Sequence, residues 1–193
     1  MSTTATRTLA DHLAASRRGL ESLTPELSRI TRWGRDLRER LEGGSRLLVA
    51  GNGGSAALGH HLVGEMVGRF DREREPFSAL ALSAESAGLT AIGNDYGYDE
   101  VFARQVRAHG RLGDLLVALS TSGRSPNLLR AVAEARGLGL TAWAMTGPAP
   151  NPLSDAADDV LAIDCPDTPS VQDVQQVAVH LLCLAFETAG DRR

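Results

Sequence analysis

Aromatic residues are scarce, 4% of 193 positions, too few for the stacked platforms that hold single-stranded nucleic acid. A basic excess is missing as well. Twenty basic residues stand against 24 acids, a formal net charge of -4 with the five His neutral, and the basic residues are scattered beside acids. That balance leaves no electrostatic footprint for nucleic acid or for an anionic membrane. Cysteine is nearly absent. Cys165, near an expected strand end, and Cys183, inside an expected helix, read as free thiols of a reducing compartment and not as a disulfide framework. No apolar run reaches the length of a membrane span, and the N-terminal MSTTATRTLADHLAASRRG has no apolar h-region. The expectation is a cytoplasmic protein. Repeats, linkers and low-complexity tracts are also missing, and 42% hydrophobic content over this length fits one domain with a substantial core.

What is present is organised around Ser45 to Phe70, SRLLVAGNGGSAALGHHLVGEMVGRF. Leu47-Leu48-Val49-Ala50 has the length of a buried strand, Gly51-Asn52-Gly53-Gly54 is a loop, and Ser55 opens a helical pattern with Ser55 as the expected N-cap. Strand, Gly-rich turn and helix start present backbone N–H groups to an anion, and glycine permits both positive φ and close approach of a ligand. An ordinary βα turn that binds nothing has the same composition. The loop lacks the lysine of a P-loop and the G-x-G-x-x-G of a dinucleotide fingerprint, which points away from ATP and NAD.

Ahead of this stretch, Leu9, Leu13, Leu20 and Leu23 predict a helix that weakens at Gly19. Thr24-Pro25-Glu26 predicts the start of a second helix, through Leu27, Ile30, Leu37 and Leu41 to Gly43-Gly44. Two amphipathic helices exceed what one sheet edge needs, so part of their apolar surface is expected to meet another subunit. Downstream, strands are expected at Ser78–Ser83, Leu115–Leu119, Leu140–Met145 and Val160–Ile163. Helices are expected around Val101–Val106, at Leu128–Arg136 and at Val171–Phe186, while Gly93 to Tyr98 is rich in turn formers. Continuous apolar strands alternating with helices indicate an α/β fold, a parallel sheet covered on both faces.

The strand ending at Leu119 runs into Ser120-Thr121-Ser122-Gly123-Arg124-Ser125-Pro126-Asn127. Ser125-Pro126 is a cap followed by a first-position proline, so hydroxyls and a glycine cluster between a strand's carboxyl end and a helix's amino end. Open α/β sheets place their ligands there, and a phosphate would meet hydroxyl and amide donors plus the positive end of the helix. His61 and Glu65 are four apart on one helix face; Gln172 and His180 lie within roughly 80° of each other on the last helix. Together they suit a borderline metal such as zinc, or acid–base work at neutral pH. Singly they have plainer readings, since Glu65 is also a solvated helix charge and His180, among Val177, Val179, Leu181 and Leu182, a satisfied core histidine.

These residues carry a resemblance. Gly51-Asn52-Gly53-Gly54-Ser55, His61 and Glu65 with Gly68-Arg69-Phe70, Gly93-Asn94-Asp95, Ser120-Thr121-Ser122-Gly123 with Ser125, and Gln172 through His180 resemble, in order, the sugar-isomerase (SIS) domain family in its phosphoheptose isomerase branch. The resemblance implies a three-layer sandwich with a central parallel sheet of flavodoxin-like topology and two extra N-terminal helices. By the same resemblance residues 1–193 are expected to be a single SIS domain, 1–43 as helices that contribute to oligomer packing and 45–193 as the α/β core. It further implies a homotetramer and a phosphorylated sugar as substrate, with sedoheptulose 7-phosphate isomerised to D-glycero-D-manno-heptose 7-phosphate through an enediol. Asn52, Gly53, Gly54, Ser55, Asn94, Asp95, Ser120, Thr121, Ser122, Ser125 and Gln172 match its substrate-binding positions. Glu65 is its base, His180 its acid, and His61, Glu65, Gln172 and His180 its ligands for zinc. The chain departs from that pattern at Leu58 (usually Asp), at Arg124 (usually Asn), in Thr168-Pro169-Ser170 (usually with a basic residue) and at Asp173 (usually Glu). A different phosphosugar as substrate, or a non-catalytic SIS scaffold such as a replication-initiator-binding homologue, remain alternatives.

Overall fold

Five apolar runs become the strands of one sheet in the computed structural model, which describes residues 3–190. They are β1 (Leu47–Gly51), β2 (Ala79–Ala81), β3 (Leu115–Ser120), β4 (Thr141–Thr146) and β5 (Asp159–Ala162). Every pairing is parallel, in the order β2-β1-β3-β4-β5. Parallel neighbours need crossovers, which puts helices on both faces. Residues of β1 and β3 are accordingly buried throughout.

Alternation along each strand divides the core in two. Leu47, Val49, Leu115, Val117, Trp143 and Met145 point toward α2 (Leu27–Glu42), α3 (Gly54–Val67) and α8 (Thr168–Gly190). Leu48, Ala50, Leu116, Ala118, Ala142 and Ala144 point toward α4 (Ser86–Tyr96), α5 (Ala103–His109), α6 (Pro126–Gly137) and α7 (Pro152–Ala156). The three-layer sandwich expected from the sequence is the fold that forms. β1 leads through α3 to β2 on one side, and β3 leads through α6 to β4 on the other. The chain therefore parts between β1 and β3, opening a crevice at their carboxyl ends.

The N-terminal helices differ from their sequence expectation in detail. α1 (Thr3–Ser22) runs unbroken through Gly19. A Cβ there would stand 2.1 Å from Cys165 Sγ and 2.8 Å from Val174 Cγ2, so the missing side chain lets α1 seat against α8 and the segment before it, and packing outweighs helix propensity. Thr24–Glu26 forms a 3-10 turn without a side-chain cap, and α2 starts at Leu27. α2 packs on its own sheet. Trp33 stacks on Trp143 with ring centroids 4.5 Å apart and planes 10° from parallel, and its indole N–H donates to Asp159 Oδ2 at 2.8 Å. α1 keeps apolar surface outside, Leu9 being 63% and Leu13 71% exposed.

Candidate active site

The first loop turns on two glycines. Gly53 holds φ +53° at the cap position of α3, and a Cβ on Gly54 would come within 2.5 Å of the Gln172 amide. Gln172, in the first turns of α8, therefore rests against the start of α3. Ser55 is not the cap: Gly53 takes that place, and Ser55 lies buried inside the first turn, its amide donating to Asn52 O at 3.0 Å. Asn52 points across the crevice instead. Its amide exchanges two hydrogen bonds with that of Asn127, at 3.0 and 2.9 Å, and its Oδ1 also accepts from the Tyr98 hydroxyl at 3.0 Å.

The second loop is braced from within. Ser120 Oγ accepts from Gly123 N at 3.0 Å and Ser122 Oγ from Arg124 N at 3.2 Å. Gly123 has φ +63°, and a Cβ there would overlap Asn151, whose side chain caps α7. Thr121 Oγ1 meets Thr168 Oγ1, at the start of α8, at 3.5 Å. Ser125 occupies the cap position of α6 without a side-chain bond to the helix, which leaves its hydroxyl free to meet a ligand. Asn94 and Asp95 lie in the last turn of α4, not in a turn. They bond each other at 2.8 Å, and Tyr98 just beyond them ties this segment to Asn52.

Further along α3, His61 meets α8 and Glu65 on its own helix. His61 Nε2 lies 3.2 Å from Glu65 Oε1 and 3.0 Å from His180 Nε2, and the Phe70 ring packs 5.4 Å from that of His180. Gln176, which the sequence pattern did not single out, sits one turn before His180 and places its amide nitrogen 2.9 Å from His180 Nε2. Its i, i+4 spacing to His180 was the available signal. Asn127 was missed too. It is a buried polar residue at the second position of α6, and only its place between two ligand-type loops marks it. His61, Glu65, Gln176 and His180 thus form a line of contacts bridging α3 and α8. Among the described residues, no three His, Cys, Asp or Glu side chains form a ready cage for a metal ion.

The departures from the family pattern have structural places. Leu58 is buried in the core between α3 and the sheet. Asp173 accepts from Ser16 at 2.8 Å and pairs with His12 at 2.9 Å, fastening α1 to α8. Arg124 is exposed in the second loop.

Comparison with known proteins agrees over most of the length. The SIS domain family matches residues 11–147. A phosphoheptose isomerase of Streptomyces coelicolor is 57% identical over 161 residues, 83% of this chain and 70% of that one. One from a Bradyrhizobium species is 42% identical over 184 residues, 94% of this chain and 93% of its own length. Among solved structures, the phosphoheptose isomerase of Neisseria gonorrhoeae superposes with a TM-score of 0.87 at 34% identity, covering 95% of this chain and 99% of that one. That of Francisella tularensis gives 0.86 at 30% identity, covering 97% and 100%.

Proposed function

The chain belongs to the SIS domain family, and we infer from its relatives and its site together that it is a phosphoheptose isomerase, interconverting sedoheptulose 7-phosphate and D-glycero-D-manno-heptose 7-phosphate. The observation that carries this reading is the contact of His61 on α3 with both Glu65 on its own helix and His180 on α8, beside two loops suited to a phosphorylated sugar.

Aldose–ketose isomerisation must break a strong C–H bond, so it needs a base at carbon and a proton donor at oxygen. We assign the base to Glu65. It takes a proton from C1 of the ketose while the C2 carbonyl oxygen gains one from His180, leaving an enediol. Glu65 then returns a proton to C2 as the C1 hydroxyl gives its own up, and the aldose forms. Glu65 Oε1 faces His61, and Oε2 is the atom we assign to the carbon-bound proton. Ser120, Thr121, Ser122 and Ser125 hold the distal phosphate with the positive end of α6 behind them, and Asn52 to Ser55, Asn94, Asp95 and Gln172 face the sugar. Holding the phosphate far from the reacting carbons fixes a flexible substrate in register.

The donor set fits zinc. Two imidazole nitrogens and a carboxylate are ligands of the kinds zinc takes, the amide oxygen of Gln172 or Gln176 would be the fourth donor, and donor atoms around one zinc ion stand about 3.3 Å apart. His61 Nε2 lies 3.0 Å from His180 and 3.2 Å from Glu65, and His180 Nε2 has two nitrogen neighbours for its single in-plane position. When bound, the ion would polarise the carbonyl. We also propose the homotetramer, with another subunit over the exposed leucines of α1, and a cytoplasmic location; light scattering of the purified protein checks the first.

The test is NMR of the reaction with sedoheptulose 7-phosphate in deuterated water. A heptose 7-phosphate with deuterium at C2 is the expected product. Binding of the sugar with neither product nor exchange would overturn the isomerase reading in favour of a phosphosugar-binding protein.

A further inference from the structure

Glu65 stands in the last turn of α3, where backbone carbonyls lack helical partners and fraying is expected. A base that must be held to a fraction of an ångström is poorly placed there unless the turn is capped. Gly68 N reaches Gly64 O at 2.8 Å, Met66 O accepts from Phe77 N at 3.1 Å, and one side chain reaches both the Glu65 and the Met66 carbonyls. Arg74 donates through Nη2 to Glu65 O and through Nη1 to Met66 O at 3.1 Å, and the same Nη1 reaches Glu75 O at 3.0 Å. Its guanidinium lies against both rings of the edge-on Phe77–Phe186 pair, 5.3 and 5.5 Å from their centroids, and its side chain is only 8% exposed. Its Nε is buried without a hydrogen-bond partner.

The counter-charge comes from α8. Glu187 Oε1 lies 3.9 Å from Arg74 Nε and accepts from the amides of Asp71 and Arg72 at 3.2 and 3.4 Å. Glu187 is seven residues after His180, hence on nearly the same face of α8. The two helices are therefore joined at two heights: by His61 and His180 in the site, and by Arg74 and Glu187 beneath it. Burying two charges is costly, and hydrophobic residues of similar volume often serve stability as well or better. Stability alone does not explain the pair.

We propose that Arg74, with Glu187, is a positioning residue for the isomerisation: it caps the last turn of α3 and sets Glu65 and His61 against His180. The proposal rests on the isomerase reading for its kinetics but not for its geometry. Arg74→Lys keeps the charge and loses the planar fork, so kcat should fall about tenfold, since small misplacements of reacting groups are costly. KM should stay within about twofold, because the phosphate is held by another loop. The long-range 1H–15N signals of the His61 and His180 rings should shift in the same variant, with those of His12 and His109 unmoved. Arg74→Met/Glu187→Leu supplies a folded comparison in which the pair is replaced by apolar side chains, and it should show the same loss of kcat. Wild-type kcat in either variant, or a loss in kcat that only tracks the folded fraction, would overturn the proposal. If the wild-type chain does not turn over sedoheptulose 7-phosphate, the isomerase reading fails, and the positioning role stands or falls on the histidine signals alone: unmoved signals end it.

Discussion

The Nε2 atoms of His61 and His180 lie 3.0 Å apart, although 119 positions separate the two residues in the chain. Ring nitrogens this close share one proton or one cation between them. The contact joins the helix that follows the first loop to the last helix of the fold, so it exists only when the sandwich is complete. Chemistry placed there is coupled to folding by construction.

Replacing Glu65 by Gln keeps the size of the side chain and removes its ability to accept a proton. Turnover of sedoheptulose 7-phosphate should fall by about 10²- to 10⁴-fold. Circular dichroism and the unfolding temperature should stay near those of the unmodified protein. A rate close to normal would assign the base elsewhere.

Zinc loading separates a metal site from a hydrogen-bonded relay. Protein exposed to zinc and freed of excess should retain a stoichiometric amount by mass spectrometry of the metal, and His180→Ala should not. Equal metal content in the two proteins would leave these side chains to proton transfer alone.

The two central serines of the second loop should behave differently. Ser122→Ala removes an exposed hydroxyl and should weaken phosphosugar binding by ~1.5–3 kcal/mol, measured by calorimetry, with little change in stability. Ser120 is buried and holds the Gly123 amide. Ser120→Ala should lower the unfolding temperature as well as the affinity. Identical effects from both would mean that the loop is not braced as described.

Asp159 sets an acid limit on stability. Burial pushes its carboxyl up, but hydrogen bonds from Trp33, Arg32 and the Val160 amide and the charge of Arg29 outweigh burial and hold its pKa below the ordinary value. A carboxyl with a lowered folded-state pKa binds fewer protons than the unfolded chain, so its contribution is complete above the unfolded pKa of about 3.9 and is lost as pH falls through the lower folded value. Thermal unfolding should therefore be more acid-sensitive below about pH 4 in the unmodified protein than in Asp159→Asn. Parallel curves for the two would remove Asp159 from the account.

Apolar runs such as Leu115 to Leu119 made the parallel sheet legible, because a strand buried on both faces has no polar side to confuse it. The positions of the two loops were legible for a related reason, since glycine and hydroxyl residues interrupt the apolar runs at the ends of β1 and β3. What failed was local. Gly19 and Asn94-Asp95 looked like helix breakers, yet the close seat of α1 on Cys165 and the last turn of α4 absorbed them. Ser55 looked like a cap, but Gly53 took the positive φ that the turn requires. Gln176 had a signal in its i, i+4 spacing to His180, but His61 shares that histidine from 119 positions away and Asn127 pairs with Asn52 from 75 away. No local pattern announces the long-range pairs.

The stacked indoles give the protein an optical signature of its own. Trp33 and Trp143 are its two tryptophans, and the seating of α2 brings them nearly face to face. At that distance their excited states couple, so the far-ultraviolet dichroism, where indole absorbs most strongly, should carry a paired band of opposite signs that neither ring produces alone. Its disappearance would time the departure of α2 from the sheet, unlabelled. Because neither indole lies in the two loops assigned to the sugar, the same band should stay silent while sugar comes and goes.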